Sequence, residues 1–270
     1  MHRLDGAVHC DGPGGAATVL LVPGTGDTPQ RAFSPMWAPQ LRHLGYRVCE
    51  VTLPLRATGD IQVSAEYVAR AAQRLGTLAA RLVVLTHSQG ALEARWALKY
   101  FPTAQGRVSE VVELGAPNHG ISTVPDVCRP GRTCQPAAMQ MAIGSRFLHA
   151  LNTGTATPGG ASYVSFYSLT DEIIRPVSPP TAALAGARNV AFQSICPARA
   201  VSHAAMLYDP WVFTVVSVVI GRPGAPLSGF AARCIEVLPR SPFTHSEPRT
   251  GQARPGPEPA LAPYVAGSGA

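Results

Sequence analysis

Lysine is nearly missing from this chain. Lys99 is the sole lysine among 22 Lys and Arg residues in 270, and the arginines stand singly along the sequence. With no Lys/Arg run, the formal charge of +6 is dispersed, which excludes a nucleic-acid footprint and leaves no nucleic-acid partner to expect. Charge is scarce altogether, at 14% of residues against 46% hydrophobic, a globular composition that excludes a disordered chain. Long apolar runs are also lacking. The most apolar stretch, Trp211 to Ile220, is too short to cross a bilayer, so no transmembrane segment is expected. No C-x-x-C pair and no Cys/His cluster with zinc-ligand spacing occurs, and no G-x-x-x-x-G-K-[ST] loop, so neither metal nor cofactor is expected. The segment Met1 to Cys10 lacks the apolar run of a signal peptide. Six cysteines nevertheless form an even set that allows three disulfides, in 15 connectivities, and implies an oxidising compartment. The expectation is a secreted, monomeric protein whose leader lies upstream or has been removed.

What is present is an alternating rhythm. Thr18 to Val22 and Tyr46 to Leu53 read as strands, with a helix from Trp37 to Leu44 between them and Gly45 ending it. A second helix, Ser64 to Leu78, leads into a strand at Leu82 to Leu85, and further strands follow at Val108 to Leu114, Ser162 to Leu169 and Asn189 to Ile195. Strands alternating with helices predict an α/β protein, with a mostly parallel sheet flanked by helices on both faces and reactive groups at the carboxyl ends of strands. The length suits one such domain, over residues 1–240. Residues 121–161, rich in Pro and Gly with a short helix around Ala137 to Leu151, read as a lid-like excursion. Residues 241–270 read as a Pro/Gly-rich disordered tail.

The stretch Arg81 to Tyr100 reads as a strand, a tight turn with Ser88 at its apex, and a helix, the pattern of a nucleophile elbow. A serine hydroxyl is a weak nucleophile unless held in the open beside a base and donors for developing negative charge. Such a turn demands small residues two positions either side of the serine. They are Thr86 and Gly90, so Thr86 replaces the first glycine of G-x-S-x-G. By itself the match also describes an ordinary polar turn. Partners are therefore needed, in the order Ser, acid, His, each at a strand end. Asp171 follows the strand ending at Leu169, with Glu172 as a rival, and His203 follows the strand ending at Ile195. Of the other late histidines, His149 precedes the acid and His245 falls in the expected tail.

The segments Leu21-Val-Pro-Gly-Thr-Gly26, Leu44-Gly-Tyr-Arg-Val-Cys49, Leu85-Thr-His-Ser-Gln-Gly90 and Tyr167-Ser-Leu-Thr-Asp-Glu-Ile173, with Cys196 and Ser202-His203, carry a resemblance. Together they resemble the family of Candida antarctica lipase B and its bacterial relatives, in the α/β-hydrolase superfamily, from about Leu4 to Leu238. The resemblance implies a lipase or esterase that cleaves acyl esters, acylglycerols among them, through an acyl-enzyme on Ser88 with Asp171 as acid and His203 as base. It also implies an oxyanion hole from the Gln89 N–H and from Thr25, and cystines Cys10 to Cys49 and Cys196 to Cys234, leaving Cys128 and Cys134 for each other. Ile173, Ile174 and Val177, directly after the acid, are candidates for the acyl channel. The chain departs from the family pattern at His87, where the fungal enzyme has a tryptophan flooring its alcohol pocket, and at Asn118, where it has an aspartate near the entrance. No counterpart of the fungal carboxy-terminal helices precedes the tail, so a more open cleft is expected. An acyltransferase or polyester depolymerase would share the acyl-enzyme, and a noncatalytic binding protein could share the scaffold.

Overall fold

The frame that carries the serine is a seven-stranded sheet in the order β1-β3-β2-β4-β5-β6-β7, seen in a computed structural model that describes residues 6–12, 17–122, 124, 134–222 and 224–234. All of these fall in one compact unit, Met1–Glu236. The expected tail 241–270 and Cys128 lie outside the described residues.

The central strands β2 (Thr18–Val22), β4 (Leu82–His87) and β5 (Glu110–Leu114) are buried at every position, because both sheet faces are covered. Strands β2 to β7 run parallel, with β3 at Arg47–Val51, β6 at Ser162–Tyr167 and β7 at Arg188–Ala191. Successive side chains on a strand point to opposite faces, and the core divides accordingly. Val19, Leu21, Val83, Leu85, Val112 and Leu114 pack with Trp37 and Leu41 of α1 (Trp37–His43). Leu20, Val22, Val84 and Val111 pack on the other face with Val68 and Ala72 of α2 (Ile61–Gly76) and Leu98 of α3 (Gly90–Tyr100). Each such aliphatic side chain contributes about 1.5–3 kcal/mol by leaving water.

Four local features correct or add to the sequence reading. An antiparallel edge strand, β1 (Val8–Asp11), pairs with β3 so that Cys10 faces Cys49, and the two are disulfide-bonded. The helix expected from Ala137 to Leu151 is two helices, α4 (Pro136–Met141) and α5 (Arg146–Asn152). Gly144, at φ 78°, turns the chain, and the Ser145 hydroxyl caps α5 by accepting from Leu148 N at 3.1 Å. The strand expected from Asn189 to Ile195 ends at Ala191 and becomes a helical turn, Phe192–Ile195. Helical spacing lets Phe192 and Ile195 enter the same core, where Phe192 stacks on Phe166 at 5.6 Å, whereas a strand would separate them between faces. Finally, the apolar run Trp211 to Ile220 lies within α6 (Pro210–Gly221), much of it in that core. Among the described residues, no helix is long and apolar enough to cross a membrane.

Candidate active site

Ser88 follows the last residue of β4 and precedes the first turn of α3, at φ 55°. A left-handed non-glycine residue costs on the order of 1–3 kcal/mol and persists only where its surroundings over-determine it. The surroundings here are specific. Ser88 N donates to Leu114 O at 2.8 Å, and a Cβ on Gly90 would stand 2.6 Å from Val22 O, so β2 and α3 could not approach this closely with a larger residue. Thr86 is tolerated because its side chain is buried with its hydroxyl directed at Val112 O, 3.4 Å away. The loop after β2 presses against the serine from above, since a Cβ on Gly24 would lie 2.9 Å from the Ser88 Cβ.

Past the end of β6, the Asp171 carboxylate is buried and faces His203, with Oδ2 2.8 Å from Nδ1. Its other oxygen, Oδ1, accepts from Ile173 N and Ile174 N, both at 2.8 Å. Burial raises the Asp171 pKa, but the hydrogen bond and charge of His203 and these two backbone donors outweigh it, so the net shift is downward. With the carboxylate ionised, Nδ1–H of His203 donates to it and Nε2 is left as the basic nitrogen. Glu172, the rival acid, engages the same histidine differently, accepting from its backbone N at 3.0 Å. Thr170 ties the acid and histidine loops together, donating to Val201 O at 3.1 Å and accepting from Val201 N at 2.9 Å. Cys196, at the start of the histidine loop, is bonded to Cys234. Cys134 is also disulfide-bonded.

Two neighbours of this pair were not anticipated. Gly115, just past β5 at φ 58°, lies where a Cβ would stand 3.2 Å from His203 Nδ1 and 3.3 Å from Asp171 Oδ2. The only trace in the sequence is a glycine directly after a strand, which is common. His87, expected only as a residue of the pocket, is buried with its ring against His203, centroids 4.6 Å apart, and its Nε2 is 3.2 Å from His203 O. Burial, followed by the charge of His203, lowers its pKa to about 3, so it stays neutral at ordinary pH. As a neutral imidazole it donates from Nε2 to that carbonyl.

Directly after Ser88, the side-chain oxygen of the fully buried Gln89 accepts from the Thr25 hydroxyl. The candidate channel residues divide. Ile174 is buried in a cluster with Leu92, Phe147 and Leu148, Ile173 is 45% exposed, and Val177 is bridged to Pro180. Asn118 is fully buried, donating to Glu113 Oε2 at 2.7 Å and accepting from Arg95 at 3.1 Å, so its side chain is committed to the core.

A mostly parallel sheet with a strained serine between strand and helix, and an acid and a histidine beyond later strands, defines the class: the chain has the α/β-hydrolase fold. The particular likeness is to Lipase B of Pseudozyma antarctica, 32% identical over 233 residues, which are 81% of this chain and 65% of that protein. The chain thus spans a little under two thirds of that relative. Aspergillus fumigatus lipase B superposes with a TM-score of 0.74 at 24% identity, covering 86% of this chain and 61% of its own. The mature form of the Bacillus licheniformis lipase BlEst2 superposes at 0.59 with 15% identity, over 80% of this chain and 97% of its own. No family model matches the chain.

Proposed function

We propose that the protein is a secreted serine hydrolase of carboxylic esters, a lipase or esterase whose substrates include acylglycerols. The observation that carries this reading is the buried Asp171 carboxylate 2.8 Å from His203 Nδ1, with the ring of that histidine 4.6 Å from His87, the residue before the strained Ser88. His203 Nε2 takes the Ser88 proton as the hydroxyl attacks the ester carbonyl, and Asp171 holds the imidazole tautomer and stabilises the imidazolium. The tetrahedral oxyanion is received by the backbone N–H groups of Gln89 and Thr25, where preorganised donors cost no rearrangement at the moment of reaction. His203 returns the proton to the departing alcohol, and water activated by the same nitrogen releases the acid. The likeness to Lipase B supports acyl esters as substrates, and the disulfides support an extracellular setting. In this reading α4 and α5 form part of a lid over the carboxyl end of the sheet.

The test is hydrolysis of p-nitrophenyl esters from acetate to palmitate by the wild type and Ser88→Ala, under oxidising conditions. Ser88→Ala is expected to lose about 10⁴-fold or more in kcat, and the chain-length optimum separates esterase from lipase. A folded wild type inert across the series, or an active Ser88→Ala, would overturn the serine mechanism.

A further inference from the structure

Glu93 is fully buried, although nothing in the acyl-transfer chemistry calls for a second carboxyl. It lies one helical turn beyond Gln89, so the two side chains share a face of α3. The Gln89 Nε2 donates to Glu93 Oε1 at 2.6 Å and to Ala57 O at 2.8 Å, while Oε1 of Gln89 accepts from the Thr25 hydroxyl. Ala57 O can only accept, so a flipped amide would set its own oxygen against that carbonyl and give up the bond the nitrogen makes there. Ala57 therefore decides that the Gln89 oxygen points at Thr25, with Glu93 accepting from the same nitrogen.

Ala57 belongs to a turn in which Leu55, Arg56 and Ala57 are all left-handed, at φ 50°, 52° and 58°. Non-glycine residues in this region cost on the order of 1–2 kcal/mol each, so three in succession mark a shape imposed from outside. The turn holds the Thr25 loop on both sides, because Arg56 O also accepts from Gly26 N at 2.7 Å.

We propose that Glu93 is a positioning residue for the oxyanion hole: through the Gln89 amide it holds the Thr25 loop where the developing oxyanion will form. The inference rests on the function proposed above, and it concerns a group that touches neither substrate nor reacting atoms. Burial, opposed by the Gln89 hydrogen bond, pushes the Glu93 pKa up to about 8, so at neutral pH it is chiefly an uncharged acid, and an amide can replace it. Loosening the hole weakens binding of the transition state more than of the ester, so the loss belongs in kcat.

The experiment compares the wild type, Glu93→Met, Glu93→Gln and Ser88→Ala on p-nitrophenyl butyrate, with active sites counted by a fluorophosphonate probe and folding followed by Tm. Glu93→Met is expected to lower kcat per titrated site about tenfold with KM within about twofold. Glu93→Gln, which still offers an acceptor to Gln89, is expected to restore kcat to within about twofold of the wild type. A folded Glu93→Met with wild-type kcat would mean a structural role only and would overturn the proposal, as would equal losses in Glu93→Met and Glu93→Gln. Should Glu93→Met not fold, Gln89→Leu breaks the same chain while keeping the backbone donor, and an unchanged kcat there overturns the proposal equally. A wild type that neither turns over the ester nor takes the probe refutes the proposed function as well. An active wild type beside an inactive Ser88→Ala upholds that function, so any failure among the Glu93 variants then bears on Glu93 alone.

Discussion

At the scale of single residues, the site is a set of buried titratable groups whose surroundings push them in different directions. Asp171 is lowered despite burial, whereas Glu93 is raised to about 8 and His87 lowered to about 3. These shifts carry signs for stability. Glu93 takes up its proton more readily folded than unfolded, so its contribution is fully present below pH about 4.5 and is lost as pH rises through about 8. His87 acts oppositely: the unfolded chain binds its proton first, so stability present above pH about 6.5 is lost as pH falls towards about 3. Glu93→Gln removes the first dependence alone. Tm measured from pH 5 to 8 should therefore decline less steeply in Glu93→Gln than in the wild type, and parallel curves would contradict the burial of a neutral acid.

At the scale of elements, α4 is fastened to α2 by a polar clasp as well as by apolar packing. The Asp60 carboxylate caps α2 by accepting from Gln62 N at 2.8 Å, and the same oxygen accepts from Gln140 Nε2 at 2.8 Å. Gln140 in turn accepts from Ile61 N at 2.8 Å, so α4 supplies part of the cap of α2. Asp60→Ala should cost about 1–2 kcal/mol in global stability, read by denaturant unfolding. Hydrogen exchange should quicken at the first turn of α2 and through α4 together. Faster exchange in α2 with α4 unaffected would show that the clasp does not join them.

At the scale of the whole molecule, two cystines close loops of 38 and 39 residues' separation, one pinning the edge strand and one anchoring the histidine loop. Each bridge of this kind contributes about 2–4 kcal/mol. Replacing Cys196 and Cys234 by serine should lower Tm by roughly 5–15 °C. It should also reduce ester turnover at temperatures where the protein remains folded, because the loop carrying His203 loses its tether. Replacing Cys10 and Cys49 should lower Tm alone. Equal effects of the two replacements on turnover would remove the distinction.

The order of strands and helices was legible in the chain itself, because side-chain periodicity and Gly/Pro punctuation are local properties that need no knowledge of neighbours. So were Ser88, Asp171 and His203 as candidates, since an elbow and two strand-end residues occupy set places in the chain order of this architecture. The break between α4 and α5 and the helical turn at Phe192 were not legible, because apolar residues at short spacing suit either element until the core they enter is known. Gly115, the contact of His87 with His203, and the line from Glu93 through Gln89 to Thr25 depended wholly on tertiary structure. Each is ordinary in its own stretch of sequence, and each acquires its role from a group far along the chain that folding brings to within about 3–5 Å, a distance over which van der Waals contact and hydrogen bonding act.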